Sequence, residues 1–249
     1  MLTARQQHCL KGIGIRQWVQ RPAMRRITAA PETATESAVL AETIIPATTS
    51  TVKPAGRISA DIEFNADSWN DINRAIHQCQ NCDLASNCTQ KVPGVGSLQA
   101  DLMIIGEGPG HDEDLTGEPF VGRSGRLLDK ILQSIGISRP QVFITNIVKC
   151  RPPHNRDPHK DEVKACDAFL RAQIKYIAPK IILSVGRVSA QSLLDTNDPV
   201  GKLITQNHRL ADSNIPVKVT YHPAYLLRNP AAKATVWQDM KMLQRILKP

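Results

Sequence analysis

The chain has 249 residues, 41% hydrophobic and only 4% aromatic, enough for the core of one ordinary domain plus a tail, or of two small domains. Its net charge is +8 and its pI about 9.3, a balance that suits a nucleic-acid partner without requiring one. No apolar run approaches the roughly 18 residues of a membrane span, and no h-region of a secretory signal follows the first residues, so a cytoplasmic protein without a membrane partner is expected.

Residues 1–28 form a basic peptide. Arg5, Lys11, Arg16, Arg21, Arg25 and Arg26 all precede the first acid, Glu32. That bias suits a mitochondrial transit peptide or a DNA-binding tail. Residues 29–60 are dominated by Ala, Thr, Pro and Ser and lack aromatics. Such a segment buries too little surface to fold, so residues 29–66 are expected to be a flexible linker and residues 67–249 the folded domain.

Within that domain strand and helix patterns alternate. The apolar runs "DLMIIG", "VFITNIVKC", "KIILSVG" and "VKVTYHP" read as strands. Between them, "GRSGRLLDKILQSIG" places Leu127, Leu128, Ile131, Leu132 and Ile135 on one helical face. "KDEVKACDAFLRAQIKYIAP" repeats the pattern up to Pro179, "VSAQSLLD" is a short helix, and "PAAKATVWQDMKMLQRIL" closes the chain. Four strand–helix alternations predict a parallel sheet in a layered α/β domain. Ligands of open parallel sheets bind beyond the carboxyl ends of the strands. Here those ends carry Gly-Glu-Gly-Pro-Gly, Asn146 with "CRPP", Gly186-Arg187 and His222-Pro223, which should converge on one crevice.

The first of these ends resembles a phosphate cradle, with Gly106, Gly108 and Gly110, but Glu107, Asp112, Glu113 and Asp114 would repel a phosphate. They suit a neutral polar ligand, a positioned water or a developing positive charge. Phe120 either plugs the core or stacks on a planar ring. Arg123, Ser124 and Gly125 open a helix whose N–H groups could hold a phosphate. Asn146 is out of place in a strand, and its carboxamide matches the N–H/C=O edge of a base; a satisfied buried amide is the plainer account. His222 could donate to an oxyanion or be structural. Leu226 and Leu227, followed by Arg228, read either as core residues of a short turn or as a wedge entering a base stack, with arginine on the backbone.

The six cysteines are Cys9, Cys79, Cys82, Cys88, Cys150 and Cys166. Cys79 and Cys82 form a metal-type pair, and with Cys150 and Cys166 they fit zinc or a [4Fe–4S] cluster. The uneven spacing, without a second C-x2-C knuckle, leans towards iron–sulfur. Either metal would pin a basic loop containing Arg151, His154, Arg156, His159 and Lys160, a candidate for phosphate contacts. Cys88 is a spare thiol.

Taken together, "GEGPGHDEDLTGEPFVGRSGRLLD", "TNIVKCRPPHNRDP" and "TYHPAYLLRNP", with four cysteines, closely resemble the family 4 uracil-DNA glycosylases from about Ile76 to the C-terminus. The resemblance implies a three-layer α/β/α fold with a four-stranded parallel sheet, preceded here by a disordered extension. It implies a [4Fe–4S] cluster on Cys79, Cys82, Cys150 and Cys166, and hydrolysis of deoxyuridine in DNA to release uracil and leave an abasic site. By the same resemblance Glu107, Glu113, Asn146 and His222 are catalytic, Gly108 leaves room for the nucleotide, Phe120 stacks on uracil, and Asn146 and His222 contact it. Arg123, Ser124, Arg151, Arg156, Tyr225, Leu226, Leu227 and Arg228 fall to DNA binding.

Two positions depart from that pattern. Cys88 stands where arginine is common, and "ITQNHRLADSNIP" carries His208-Arg209-Leu210 where Arg-Gly is usual before the last strand. The basic insertion of the related covalent uracil-trapping proteins is absent, so turnover is expected. The alternative is a non-catalytic iron–sulfur protein that binds uracil-containing or single-stranded DNA; a phosphate-ester hydrolase lacks a recognisable metal-carboxylate set. Near the start, "GIRQWVQRP" resembles the N-terminal peptide of the psi subunit of the bacterial polymerase III clamp loader, implying a clamp-loader partner through Gly14–Pro22; a bacterial, nucleoid-associated monomer is expected.

Overall fold

The computed structural model describes residues 64–247. The expectations for the basic peptide, its Gly14–Pro22 motif and nearly all of the linker fall outside the described residues.

The four expected strands pair in parallel: β2 (Leu102–Gly106), β3 (Phe143–Asn146), β4 (Ile181–Val185) and β6 (Pro216–Thr220). The sheet has six strands rather than four, in the order β1-β3-β2-β4-β6-β5. The additions, β1 (Val95–Gly96) and β5 (His208–Arg209), are two-residue antiparallel edges, too short to show a hydrophobic period in the sequence. His208-Arg209, one of the departures noted above, is thus an edge of the sheet.

Side chains alternate across the strands and build two cores. Met103, Ile105, Ile182 and Val219 face α1 (Trp69–Gln78), α5 (Lys160–Ile177) and α6 (Arg187–Leu194). Leu102, Ile104, Ile144 and Leu183 face α4 (Arg123–Ser134), α8 (Pro223–Arg228) and α9 (Lys233–Leu247). Two short helices, α2 (Leu84–Asn87) and α7 (Val200–Ile204), and α3 (His111–Thr116) complete the set. Burying both faces explains why the central strands read as unbroken apolar runs. The three-layer α/β/α architecture is as expected.

Three local expectations change. The second strand stops at Asn146 rather than running to Cys150, because its partner β2 ends at Gly106. Beyond it Ile147 N donates to Gly106 O at 2.9 Å and Val148 N to Glu107 O at 3.2 Å, so the chain turns inward over the strand ends. The acid run forms helix α3, whose N-terminus accommodates Asp112, Glu113 and Asp114. The segment after His222 is helix α8, with Pro223 at its first position, not a loop. Its 3.6-residue period turns Pro223 and Leu226 inward together, so Leu226 is fully buried against α4 and α9 and is not available as a wedge. Leu227 and Tyr225 stay exposed.

Candidate active site and thiol cavity

The carboxyl ends of β2, β3 and β6 meet in a cleft of about 450 Å³. Glu107, Gly108, Glu113, Phe120, Asn146 and His222 line its base. Ser124, Arg156, Tyr225 and Arg228 stand at its sides. Arg123, Arg151 and Leu227 are not among its lining residues, and Arg187, after β4, faces a separate groove.

Asn146 is the last residue of β3, 2% exposed, in register with Gly106 of β2. Its backbone carbonyl is held by Lys149 Nζ at 2.8 Å, and that fully buried ammonium also donates to Thr145 Oγ1 and Gln173 Oε1, both at 2.7 Å. Its side-chain Oδ1 is the one buried side-chain polar atom among the described residues with no hydrogen-bond partner. Such an acceptor costs about 1–3 kcal/mol unless a ligand satisfies it. Gly106 makes the room: a Cβ there would come within 2.4 Å of Asn146 Oδ1 and 2.7 Å of the Phe120 ring. Gly108 lines the cleft, and a Cβ there would also meet Val148 Cγ2 at 2.8 Å.

His222 caps helix α8. Its Nδ1 accepts from Ala224 N at 3.1 Å, which places the ring proton on Nε2. Burial of the ring, with Arg228 nearby, pulls its pKa down to about 4, so it is neutral at pH 7. The ring lies 5.6 Å from that of Phe120, tilted by 32°.

The acids of the first loop are mostly spent on backbone. Glu113 Oε1 accepts from Val121 N at 2.9 Å and Gly122 N at 3.0 Å, and its Oε2 from Gly110 N at 3.1 Å. A carboxylate so occupied organises the loop. Asp114 Oδ1 accepts from Thr89 N at 2.8 Å and Gln90 N at 3.3 Å. Glu107 differs. Burial, then the neighbouring charge of Asp157 and a hydrogen bond to it, raise its pKa to about 7, against the opposing pull of Arg187. Arg187 is itself paired with Asp157. Nothing local in the sequence marked Asp157 as Glu107's partner, fifty residues away.

Among the arginines expected on DNA, Arg156 spends its guanidinium on Glu162, at 2.8 and 2.6 Å, and on Asp157 O at 2.9 Å. It therefore ties the loop to α5 with three of its five N–H donors. Arg151 bonds Asn155 Oδ1 at 2.7 Å and approaches His111 Nδ1 at 3.1 Å. Arg123 and Arg228 are exposed.

Cys79, Cys82, Cys150 and Cys166 line one small cavity, with Lys91 and Lys149 beside them. Burial raises the pKa of Cys79 and Cys82, and pushes Cys166 up to about 11. Among the described residues no three His, Cys, Asp or Glu side chains are close enough to hold a single metal ion. Four thiols lining one cavity are a donor set that suits either a [4Fe–4S] cluster or zinc. Cys88 contacts Cys150 from outside this cavity, which raises Cys150 and lowers Cys88 to about 7.

Comparison with known proteins agrees with this geometry. The family model of the uracil DNA glycosylase superfamily matches residues 93–241, leaving Cys79 and Cys82 just ahead of the match. The chain is 41% identical over 183 residues to the type-4 uracil-DNA glycosylase of Archaeoglobus fulgidus, covering 71% of this chain and 92% of that protein. It is 38% identical over 179 residues to the type-4 uracil-DNA glycosylase of Thermotoga maritima, covering 71% and 93%. A type-5 uracil-DNA glycosylase of Pyrobaculum aerophilum is 28% identical over 169 residues, covering 62% and 74%.

Proposed function

Because the chain belongs to the uracil-DNA glycosylase superfamily, among relatives of type 4, we propose that its cleft hydrolyses the N-glycosidic bond of deoxyuridine in DNA, releasing uracil and leaving an abasic site for base excision repair. The observation that carries this reading is the buried, unpartnered Oδ1 of Asn146 at the base of the cleft. It needs an N–H donor. The N3–H of a flipped uracil supplies one, whereas cytosine presents a bare acceptor at that position.

The remaining groups divide the chemistry. Phe120 stacks on the base. The neutral His222 directs Nε2–H at the uracil oxygen on which negative charge grows as the bond breaks. An imidazolium would also attract that charge, but would add a buried cation beside the cationic sugar. Glu107, when ionised, faces the oxocarbenium-like sugar and orients the water. The path is dissociative, with the bond broken before water adds. Ser124 and Arg228 are placed at the cleft's sides for the DNA backbone, and exposed Tyr225 and Leu227 take the place of the wedge that Leu226 does not supply.

In this reading Cys79, Cys82, Cys150 and Cys166 hold a [4Fe–4S] cluster, which ties the loop after β3 to α5 and supplies no step of the hydrolysis. The reading also includes a clamp-loader contact through Gly14–Pro22, supported by the sequence resemblance alone; loss of clamp-loader pull-down in Trp18→Ala tests it, and unchanged capture ends it.

The decisive experiment is excision from a labelled oligonucleotide carrying one deoxyuridine, with protein at one-tenth of the DNA concentration, then alkali and a denaturing gel. Cleavage of most of the DNA is expected. Intact DNA, from protein that contains iron and sulfide, would overturn catalysis and leave a uracil-binding module.

A further inference from the structure

Phe120 has φ of 56°, in the left-handed region where a bulky aromatic residue is an outlier. Both peptide groups around it are held by side chains. On the carbonyl side, Arg139 Nη1 donates to Phe120 O at 3.1 Å, and Nη2 donates to Pro119 O. The same guanidinium is anchored by Asp129, Nη1 to Oδ1 at 3.1 Å. On the amide side, Glu113 Oε1 takes the N–H groups of Val121 and Gly122. Helix α4 closes behind: a Cβ at Gly125 would sit 1.7 Å from Phe120 O, so only glycine permits this approach. The ring is thereby presented into the cleft, against Gly106 and His222.

We propose that Arg139 and Glu113 form a two-sided clamp that holds Phe120 in its left-handed conformation, which makes both of them positioning residues for the stacking of the flipped base. This rests on the assignment of the cleft to uracil. Neither residue need touch the base. A cation on two carbonyls and an anion on two amides neutralise one another across the loop, and they offset the strain at Phe120 with charge-assisted hydrogen bonds. The arrangement also accounts for an acid that the sequence singled out and for an arginine that it did not.

The test is a double-mutant cycle, read as kcat/KM for excision from a single-stranded oligonucleotide and as inhibition by free uracil, with the thermal midpoint measured alongside. Arg139→Gln should lower kcat/KM and weaken uracil inhibition by about tenfold, the upper range of one lost aromatic contact. Arg139→Lys, which keeps the charge but not the two-pronged fork, should lose most of the same factor. In a Phe120→Leu background the Arg139 substitutions should cost less than about twofold, because there is no stacked ring left to position. Glu113→Gln should follow the same pattern with a smaller loss. A purely structural role would give equal losses in both backgrounds, and that outcome overturns the proposal, as does a folded Arg139→Gln protein with unchanged kinetics. If Arg139→Gln does not fold, Asp129→Asn, which loosens the guanidinium without removing it, carries the cycle. Absence of excision by the unmutated chain would count against the glycosylase reading itself, separately from the clamp.

Discussion

The cleft and the thiol cavity lie on either side of the same segment, Asn146 to Cys150, and they are built on opposite terms. At the base of the cleft the side chains of Glu113 and His222 and the backbone carbonyl of Asn146 are already paired within the protein. One acceptor, Asn146 Oδ1, is left open. In the cavity four thiols face a shared space, and burial raises Cys79, Cys82 and Cys166 above their ordinary pKa. The cleft is therefore preorganised and awaits one complementary edge, as catalysis by fixed dipoles requires. The cavity offers four thiols to a group that would take them as thiolates, and in the proposed reading that group contributes to stability.

Removing the open acceptor should separate activity from stability most sharply. Asn146→Ala is expected to lower kcat for uracil excision by about 10²–10³-fold, the scale of one lost preorganised hydrogen-bonding group. Its thermal midpoint should hold or rise, since a buried unpaired oxygen disappears. A parallel loss of stability in thermal melts would show that Asn146 is a structural amide.

The cavity should behave in the reverse way. Cys166→Ser should lose iron and sulfide and lower the thermal midpoint by about 10 °C or more, several kcal/mol at the ordinary exchange rate for a domain of this size. Iron analysis with calorimetry checks it; full retention of stability without iron would mean that the cavity is packed well enough alone.

The Glu107–Asp157 contact joins the cleft to the loop that follows the cavity, and it should set the acid limb of the pH profile. Glu107 is protonated below about pH 7, so activity that needs its carboxylate falls as pH drops through 7. Asp157→Asn removes a like charge and should shift that limb to lower pH, raising the rate at pH 6 relative to pH 8 by about threefold; burial, the larger cause, remains. An unmoved limb in the pH–rate profile would remove Asp157 from this role. His222, neutral down to about pH 4, should add no limb between 5 and 8.

The smallest effects distinguish two adjacent leucines. Leu226→Ala should cost about 2–4 kcal/mol of stability as a core truncation. Leu227→Ala should leave denaturant unfolding within about 0.5 kcal/mol. If Leu227 helps to extrude the base, its loss should slow excision from duplex DNA about threefold and from single strands hardly at all, because flipping costs a few kcal/mol only where a stack must be broken.

Much of the fold was legible because its signals are local. The unbroken apolar strands and the helical spacing of Leu127, Leu128, Ile131 and Leu132 follow from burial on both faces of a parallel sheet. The edge strands were too short to register, and α8 was hidden by a proline that starts a helix as readily as it bounds a loop. The cleft residues Asn146, Glu107 and His222 were legible as odd residue types at strand ends, and Phe120 as an aromatic ring in a loop between glycines. The role of Leu226 was not, because it depends on which way a helix turns the side chain.

By itself, the sequence determined which residues lie where parallel strands end, and so which chemistry one crevice could assemble. Only the tertiary structure decided which of those groups are free. Hydrogen bonds across turns and between segments occupy Glu113, Asp114 and part of Arg156, burial and a contact fifty residues along the chain set the protonation of Glu107, and Arg139 reaches back to Phe120. Residue type sets what a polar group can do; whether it is available depends on partners brought together by packing, which no local pattern records.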